Sequence, residues 1–99
     1  NDTPLGRYME STEAEKQQMR DYFLIDESDP AASFIRLAWS SVSVMAIAPL
    51  QDVLRLDTNA RMNFPGKASG YWRWRYRGEM LTSNHAAELL SLTKIFGRR

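Results

Sequence analysis

The stretch Tyr71-Trp72-Arg73-Trp74-Arg75-Tyr76-Arg77 interleaves aromatic rings with guanidinium groups. Rings of this kind stack on sugar faces or on nucleobases, and arginines hydrogen-bond hydroxyls or neutralise phosphates. The same pattern is produced by a strand with Tyr71, Arg73, Arg75 and Arg77 on one side and Trp72, Trp74 and Tyr76 buried on the other. Carboxylates are the second source of chemistry. Asp2, Asp52 and Asp57 fall at the ends of expected elements, where acid–base groups of α/β enzymes sit, although spacing alone does not pair them. Glu10, Glu13, Glu15, Asp26, Glu27 and Asp29 read as a solvated acidic face. The single histidine, His85, opens an expected helix far from any Ser and Asp partner and reads as a surface residue, not a triad base. Gly66 and Gly70 lack the flanking residues of a phosphate-cradling loop.

These groups must be positioned by a small number of elements. Thr12 and Glu15 have the spacing of a capping box, and good helix formers follow, which predicts a helix over about 12–23. Its apolar members Met19, Tyr22 and Phe23 come late, so only its last turns are expected to be buried. After the polar loop Asp26–Pro30, residues Phe34, Ile35, Ala38, Trp39 and Val42 form one helical stripe. Val44-Met45-Ala46-Ile47-Ala48 is apolar throughout and closed by Pro49, the pattern of a parallel strand buried on both faces, and Leu50–Leu56 suits a short helix after it. Residues 57–70 show no sustained period and predict a long ordered loop. A last helix over about 82–96 starts at Thr82, turns Ala86, Leu89, Leu90, Leu92 and Phe96 toward the core, and stops at Gly97.

Composition bounds the function classes. The chain has 99 residues, a single domain or part of one, with 43% hydrophobic residues and a formal charge of +1. It has no cysteine, which excludes a disulfide scaffold, a thiolate metal site and a Cys nucleophile. One histidine is too few for the His-rich sets of zinc and non-haem iron sites. No stretch reads as a membrane span or a signal peptide. The near-neutral total conceals a split: residues 1–30 hold eight acids and three bases, whereas residues 31–99 hold ten bases and four acids. The chain opens at Asn1-Asp2-Thr3 without Met, so a piece of something longer is expected.

Three strings are more specific than these patterns. Ala48-Pro49-Leu50-Gln51-Asp52-Val53-Leu54, Ala60-Arg61-Met62-Asn63-Phe64-Pro65-Gly66 and Ala68-Ser69-Gly70-Tyr71-Trp72-Arg73-Trp74-Arg75 resemble, in this order, the C-terminal end of bacterial 4-α-glucanotransferases, the amylomaltase or disproportionating-enzyme family. Asn1-Asp2-Thr3 resembles the tail of that family's His-Asp-Asn-Asp-Thr motif. Tyr71 departs from it, standing where the family's Gly-Asn-Trp string has Asn, so no polar contact is carried over to this position.

The resemblance implies an α/β fold, with residues 1–99 as the C-terminal segment of a (β/α)8 TIM barrel: its last strand with flanking helices, incomplete on its own. It implies transfer of α-1,4-glucan segments between maltooligosaccharides in the cytoplasm by a retaining double displacement, with no metal and no other cofactor. The implied partners are the glucan and the rest of the parent barrel, with neither nucleic acid nor membrane. The stabilising Asp of the family motif would directly precede Asn1, and the nucleophile and acid/base would lie further upstream, so no catalytic residue is expected within this chain. Substrate contacts are expected from Asn63, Pro65 and Gly66 in the loop and from Gln51 and Asp52 after the strand; Arg61 and Asp52 could instead pair with each other and pin the loop. Trp72 and Trp74 would pack the loop onto the last helices, with Arg73 and Arg75 holding nearby carboxylates or carbonyls. The competing reading is a small independent module that binds oligosaccharide or single-stranded nucleic acid through Trp72–Arg77.

Overall fold

The computed structural model describes residues 2–98; Asn1, the first residue of the Asn1-Asp2-Thr3 string, lies outside them. The described residues form α1 (Pro4–Glu10), α2 (Glu13–Phe23), α3 (Pro30–Ser40), α4 (Leu50–Val53) and α5 (Ser83–Ile95), with 3-10 turns at Thr58–Ala60 and Gly78–Met80 and no strand. Each of the first three helices opens on a side-chain cap. Thr3, Thr12 and Asp29 accept from the N–H groups of Gly6, Glu15 and Ala32 at 3.1, 3.2 and 3.2 Å, which satisfies donors that a helix start leaves unpaired. Pro4 and Pro30 occupy the first turns of α1 and α3, where the missing N–H costs nothing. Gly97, at φ +66°, ends the last helix where the sequence stops it.

The core is small. Tyr8, Ile25, Ala31, Ile35, Val53 and Ala60 are its buried apolar residues, gathered where α1 meets α3 and the Thr58–Ala60 turn and where α3 meets α4. The approach of α1 to the turn is very close: a Cβ on Gly6 would lie 2.3 Å from Thr58 Oγ1 and 2.8 Å from the Thr58 backbone nitrogen. Polar side chains do much of the remaining work. Arg20 joins α2 to its neighbours, donating to the Tyr8 hydroxyl at 2.9 Å and to Glu27 at 2.8 Å. Arg98 reaches back from the end of the chain to donate to the carbonyls of Trp39 (2.7 Å), Ser41 (3.0 Å) and Ser43 (2.9 Å), covering oxygens at and beyond the C-terminus of α3 that the helix leaves open. Trp39 Nε1 adds a bond to Thr93 Oγ1 of α5 at 3.3 Å.

Four expectations change. Nothing in α2 is buried: Tyr22 is 79% exposed, and it meets Phe23 edge to face instead of entering the core. The helical stripe ends early, because α3 stops at Ser40 and leaves Val42 in solvent. In α5, Leu89, Leu92 and Phe96 are half-buried while Ala86 and Leu90 are exposed. Most consequential, Val44–Ala48 is not a strand; Val44, Met45 and Ile47 are 103%, 72% and 77% exposed. A parallel strand hydrogen-bonds only to neighbouring strands, and among the described residues there are none. No helix among them is long and apolar enough to cross a membrane.

Two measurements check this packing. Gly6→Ala should destabilise the protein by roughly 1–3 kcal/mol, the usual size of an overpacking clash, read from the urea midpoint; an unchanged midpoint would show that the α1 contact is loose. The apolar run should make the isolated chain associate. Val44→Lys with Ile47→Lys should reduce light scattering without reducing helical circular dichroism, and equal scattering before and after would clear this segment.

Candidate functional site

The loop expected to face substrate rests on α4. Gln51, buried in the first turn, donates from Nε2 to the carbonyl of Ala60 at 3.2 Å, which ties the helix to the turn that opens the loop. From there Met62, Asn63 and Phe64 have their carbonyl oxygens taken in succession. The Trp72 N–H donates to Met62 at 2.5 Å, Arg61 Nε to Asn63 at 3.1 Å, and the Tyr71 hydroxyl to Phe64 at 2.7 Å. The outgoing limb of the loop thus closes on the incoming one. The turn between them needs backbone freedom: Gly66 and Gly70 have φ of +85° and +92°, a region that costs a residue bearing a Cβ. Trp72 adopts φ +59° without that freedom, and Arg75 donates to its carbonyl at 3.2 Å and to that of Trp74 at 2.9 Å.

Arg61 is the electrostatic centre of the loop. Its guanidinium sits 4.8 Å from the Phe64 ring centroid, and Nη1 pairs with Asp2 Oδ2 at 3.9 Å, both side chains being largely out of solvent. Asp2 is itself fixed, accepting from the Thr3 N–H at 2.7 Å and from the Thr58 hydroxyl at 3.0 Å. The alternative pairing of Arg61 with Asp52 is therefore replaced by one with Asp2. Asp52 is buried beside Arg55, and its Oδ1 has no hydrogen-bond partner among the described residues. Burial pushes the Asp52 carboxyl up to about 6, with the Arg55 charge opposing the shift.

The candidate residues separate by depth. Asn63 is half-buried, Pro65 and Gly66 are exposed, and Gln51 and Asp52 are buried on α4. The carboxylates suspected of pairing have separate tasks: Asp2 anchors Arg61, and Asp57 caps the 3-10 turn by accepting from Asn59 N–H at 3.0 Å. Asp29 leaves the solvated acidic face, because it caps α3 and pairs with Arg55 at 3.0 Å. His85 accepts the Thr82 N–H at 3.0 Å, a helix-capping role. The Trp72–Arg77 segment is not a half-buried strand: Trp72 is 66% and Tyr76 47% exposed, and Trp74 is half-buried. Sequence reasoning missed the Tyr71 hydroxyl and the Asp2–Thr58 contact. The signal for the first was Tyr71 itself, a phenol long enough to cross the turn that Gly66 and Gly70 make. Among the described residues no three His, Asp or Glu side chains gather as a metal site.

Helices around a pinned loop of this kind define part of an amylomaltase: the chain superposes on the amylomaltase of Streptococcus agalactiae, solved in complex with acarbose, with a TM-score of 0.91 and 31% identity over 99% of this chain and 20% of that one. The sequence profile of the 4-alpha-glucanotransferase family matches residues 1–82, and the chain belongs to that family. The 4-alpha-glucanotransferase of Synechocystis is 41% identical over 100% of this chain, and that of Streptococcus pneumoniae 42% identical over 99% of it. The chain spans about 20% of the length of each relative. Trp72–Arg77 lies inside the matched range, as part of this enzyme family and not of a separate oligosaccharide- or nucleic-acid-binding module.

The Asp52 carboxyl gives the site a pH signature. Ordinarily titrating near 3.8 and held protonated to about 6 in the fold, it makes the folded chain bind more protons than the unfolded chain between those values. Its contribution to stability therefore falls as pH rises through that window and stays low above it. Asp52→Asn should be increasingly favourable, relative to the parent, from pH 4 to pH 7 in urea midpoints. A difference that stays constant across that range would rule the shift out.

Proposed function

We propose that residues 1–99 are the C-terminal segment of a (β/α)8-barrel 4-α-glucanotransferase that moves α-1,4-glucan segments from a donor maltooligosaccharide to the 4-hydroxyl of an acceptor. In this reading residues 44–48 form the last barrel strand once neighbouring strands supply their backbone partners, and α4 with the loop 61–70 lies at the strand's C-terminal end, the catalytic face of such barrels. The observation that carries the reading is the close superposition, over nearly the whole chain, on an amylomaltase solved with the oligosaccharide analogue acarbose.

The chemistry follows from the substrate. A glucan presents many hydroxyls and flat apolar ring faces, and a site for it needs fixed donors and acceptors on a rigid support. The loop offers the Asn63 amide on a backbone held at three consecutive carbonyls, with the exposed Pro65-Gly66 turn alongside. Gln51 supports this surface from below through the Ala60 carbonyl, with Asp52 buried next to it on α4. Retention of configuration requires a carboxylate that attacks the anomeric carbon while a carboxylic acid protonates the departing oxygen. The acceptor hydroxyl then displaces the enzyme carboxylate as the second group takes its proton. Those carboxylates belong to the part of the enzyme outside residues 1–99, and no metal or organic cofactor enters the scheme.

The test uses the full-length protein that carries this segment. With maltotriose it should form glucose together with longer maltooligosaccharides, whereas glucose and maltose alone would indicate hydrolysis and overturn the transferase reading. Asn63→Ala should lower kcat/KM about tenfold, near the worth of one or two hydrogen bonds, and shift the melting temperature by no more than about 2 °C. An unchanged kcat/KM would remove Asn63 from the glucan site.

A further inference from the structure

The three held carbonyls of Met62, Asn63 and Phe64 come from donors of different kinds. The bond to Met62 is backbone to backbone and independent of side-chain identity. The bond to Asn63 and the shorter of the two bonds to Phe64 come from side chains, Arg61 and Tyr71, the longer one to Phe64 from the Lys67 N–H. The two side chains approach from opposite limbs of the loop, so together they fix the Asn63–Phe64 and Phe64–Pro65 peptide planes, on the two sides of the Phe64 Cα.

We infer that Arg61 and Tyr71 are positioning residues for substrate: by clamping the backbone of residues 62–64 from two sides they hold the segment from which the Asn63 side chain addresses the glucan. The inference rests on the glucan-facing reading of the loop and adds to it the residues that set its geometry. Each is itself anchored. Arg61 is oriented by the Phe64 ring at 4.8 Å and by Asp2, and Asp2 in turn is held by Thr3 and Thr58. With Nη1 on Asp2 and the Phe64 ring against the guanidinium, Nε donates to the Asn63 carbonyl, so the group fixes a carbonyl as well as balancing a charge. Tyr71 is half-buried between Gly70, at φ +92°, and Trp72, at φ +59°. That left-handed pair bends the chain back over the loop and brings the phenol within reach of a carbonyl seven residues earlier.

The role is one of position, because neither donor need touch the sugar. Loss of the clamp should weaken substrate capture and leave the fold in place, since Phe64 keeps a second donor in the Lys67 N–H at 3.3 Å. In the full-length protein, Tyr71→Phe deletes only the hydroxyl. KM for maltotriose should rise about fivefold, the worth of one neutral hydrogen bond, with kcat changed by less than about twofold and the melting temperature unmoved within about 1 °C. In an Asn63→Ala background the same substitution should leave KM unchanged, because two residues acting through one contact are not additive. Arg61→Lys, which keeps the charge near Asp2 and loses the Nε donor, should raise KM in the same way and show the same dependence on Asn63. An unchanged KM in Tyr71→Phe, an equal rise in both backgrounds, or a rise that tracks a fall in melting temperature would each overturn the inference. If Asn63→Ala alone leaves KM unchanged, the glucan-facing reading itself fails, an outcome read separately from the Tyr71 result.

Discussion

Arg55 holds the structure together. It ends α4 in a left-handed conformation, φ +60°, which an arginine does not adopt without compensation. The compensation is a fan of contacts: Nε to Asp29 at the head of α3, Nη1 to the carbonyls of Asp52 and Val53, and Nη2 to Glu88 of α5. One side chain thereby joins α3, α4 and α5 through polar contacts, in addition to the apolar packing of α3 on α4. Its removal would leave two carboxylates without their partner at a partly buried junction, a costlier loss than that of an exposed pair. The same charge stands next to Asp52 and restrains the rise of its pKa without cancelling the effect of burial.

The loop depends on that junction. Arg55 fixes α4, α4 presents Gln51, and Gln51 holds Ala60, from which the chain departs into residues 61–70. A second anchor enters from the beginning of the chain, where Asp2 receives Arg61 and Thr58, and where Gly6 allows α1 to lie against the turn. The loop is thus ordered from two directions by polar contacts, although it contains no regular secondary structure beyond the turn at its start. Long loops of this kind in compact proteins are generally functional, and its order is what a site for a flexible oligosaccharide requires.

Local features of the fold were legible because they are governed by neighbours in sequence. Thr12 with Glu15 announces α2, Gly97 announces the end of α5, and the missing period over residues 57–70 announces a long loop. The contacts that define the site were not, because they join residues far apart: Asp2 to Thr58 spans 56 positions and Arg55 to Glu88 spans 33, and no local periodicity encodes them. Asp29 belongs with these, since an acidic residue in an acidic stretch has the pattern of a solvated face and its partner Arg55 lies 26 positions away. The run 44–48 shows the opposite failure. Its composition correctly marks it as apolar, but burial requires neighbouring strands, and the described residues supply none. A tyrosine at 71 in place of the family's asparagine shows in the sequence which amide is lost, whereas the carbonyl that its hydroxyl reaches lies across the turn and is set only by the fold.

The loop 61–70, fixed by Arg61 and Tyr71, is the proposed glucan-binding surface. The most direct measurement is hydrogen–deuterium exchange on the full-length protein with and without saturating acarbose. Backbone amides of residues 62–72 should exchange more slowly with the ligand bound, while those of the exposed helix α2 keep their rates. Unchanged exchange across residues 62–72, with the protein shown to be saturated, would contradict the account.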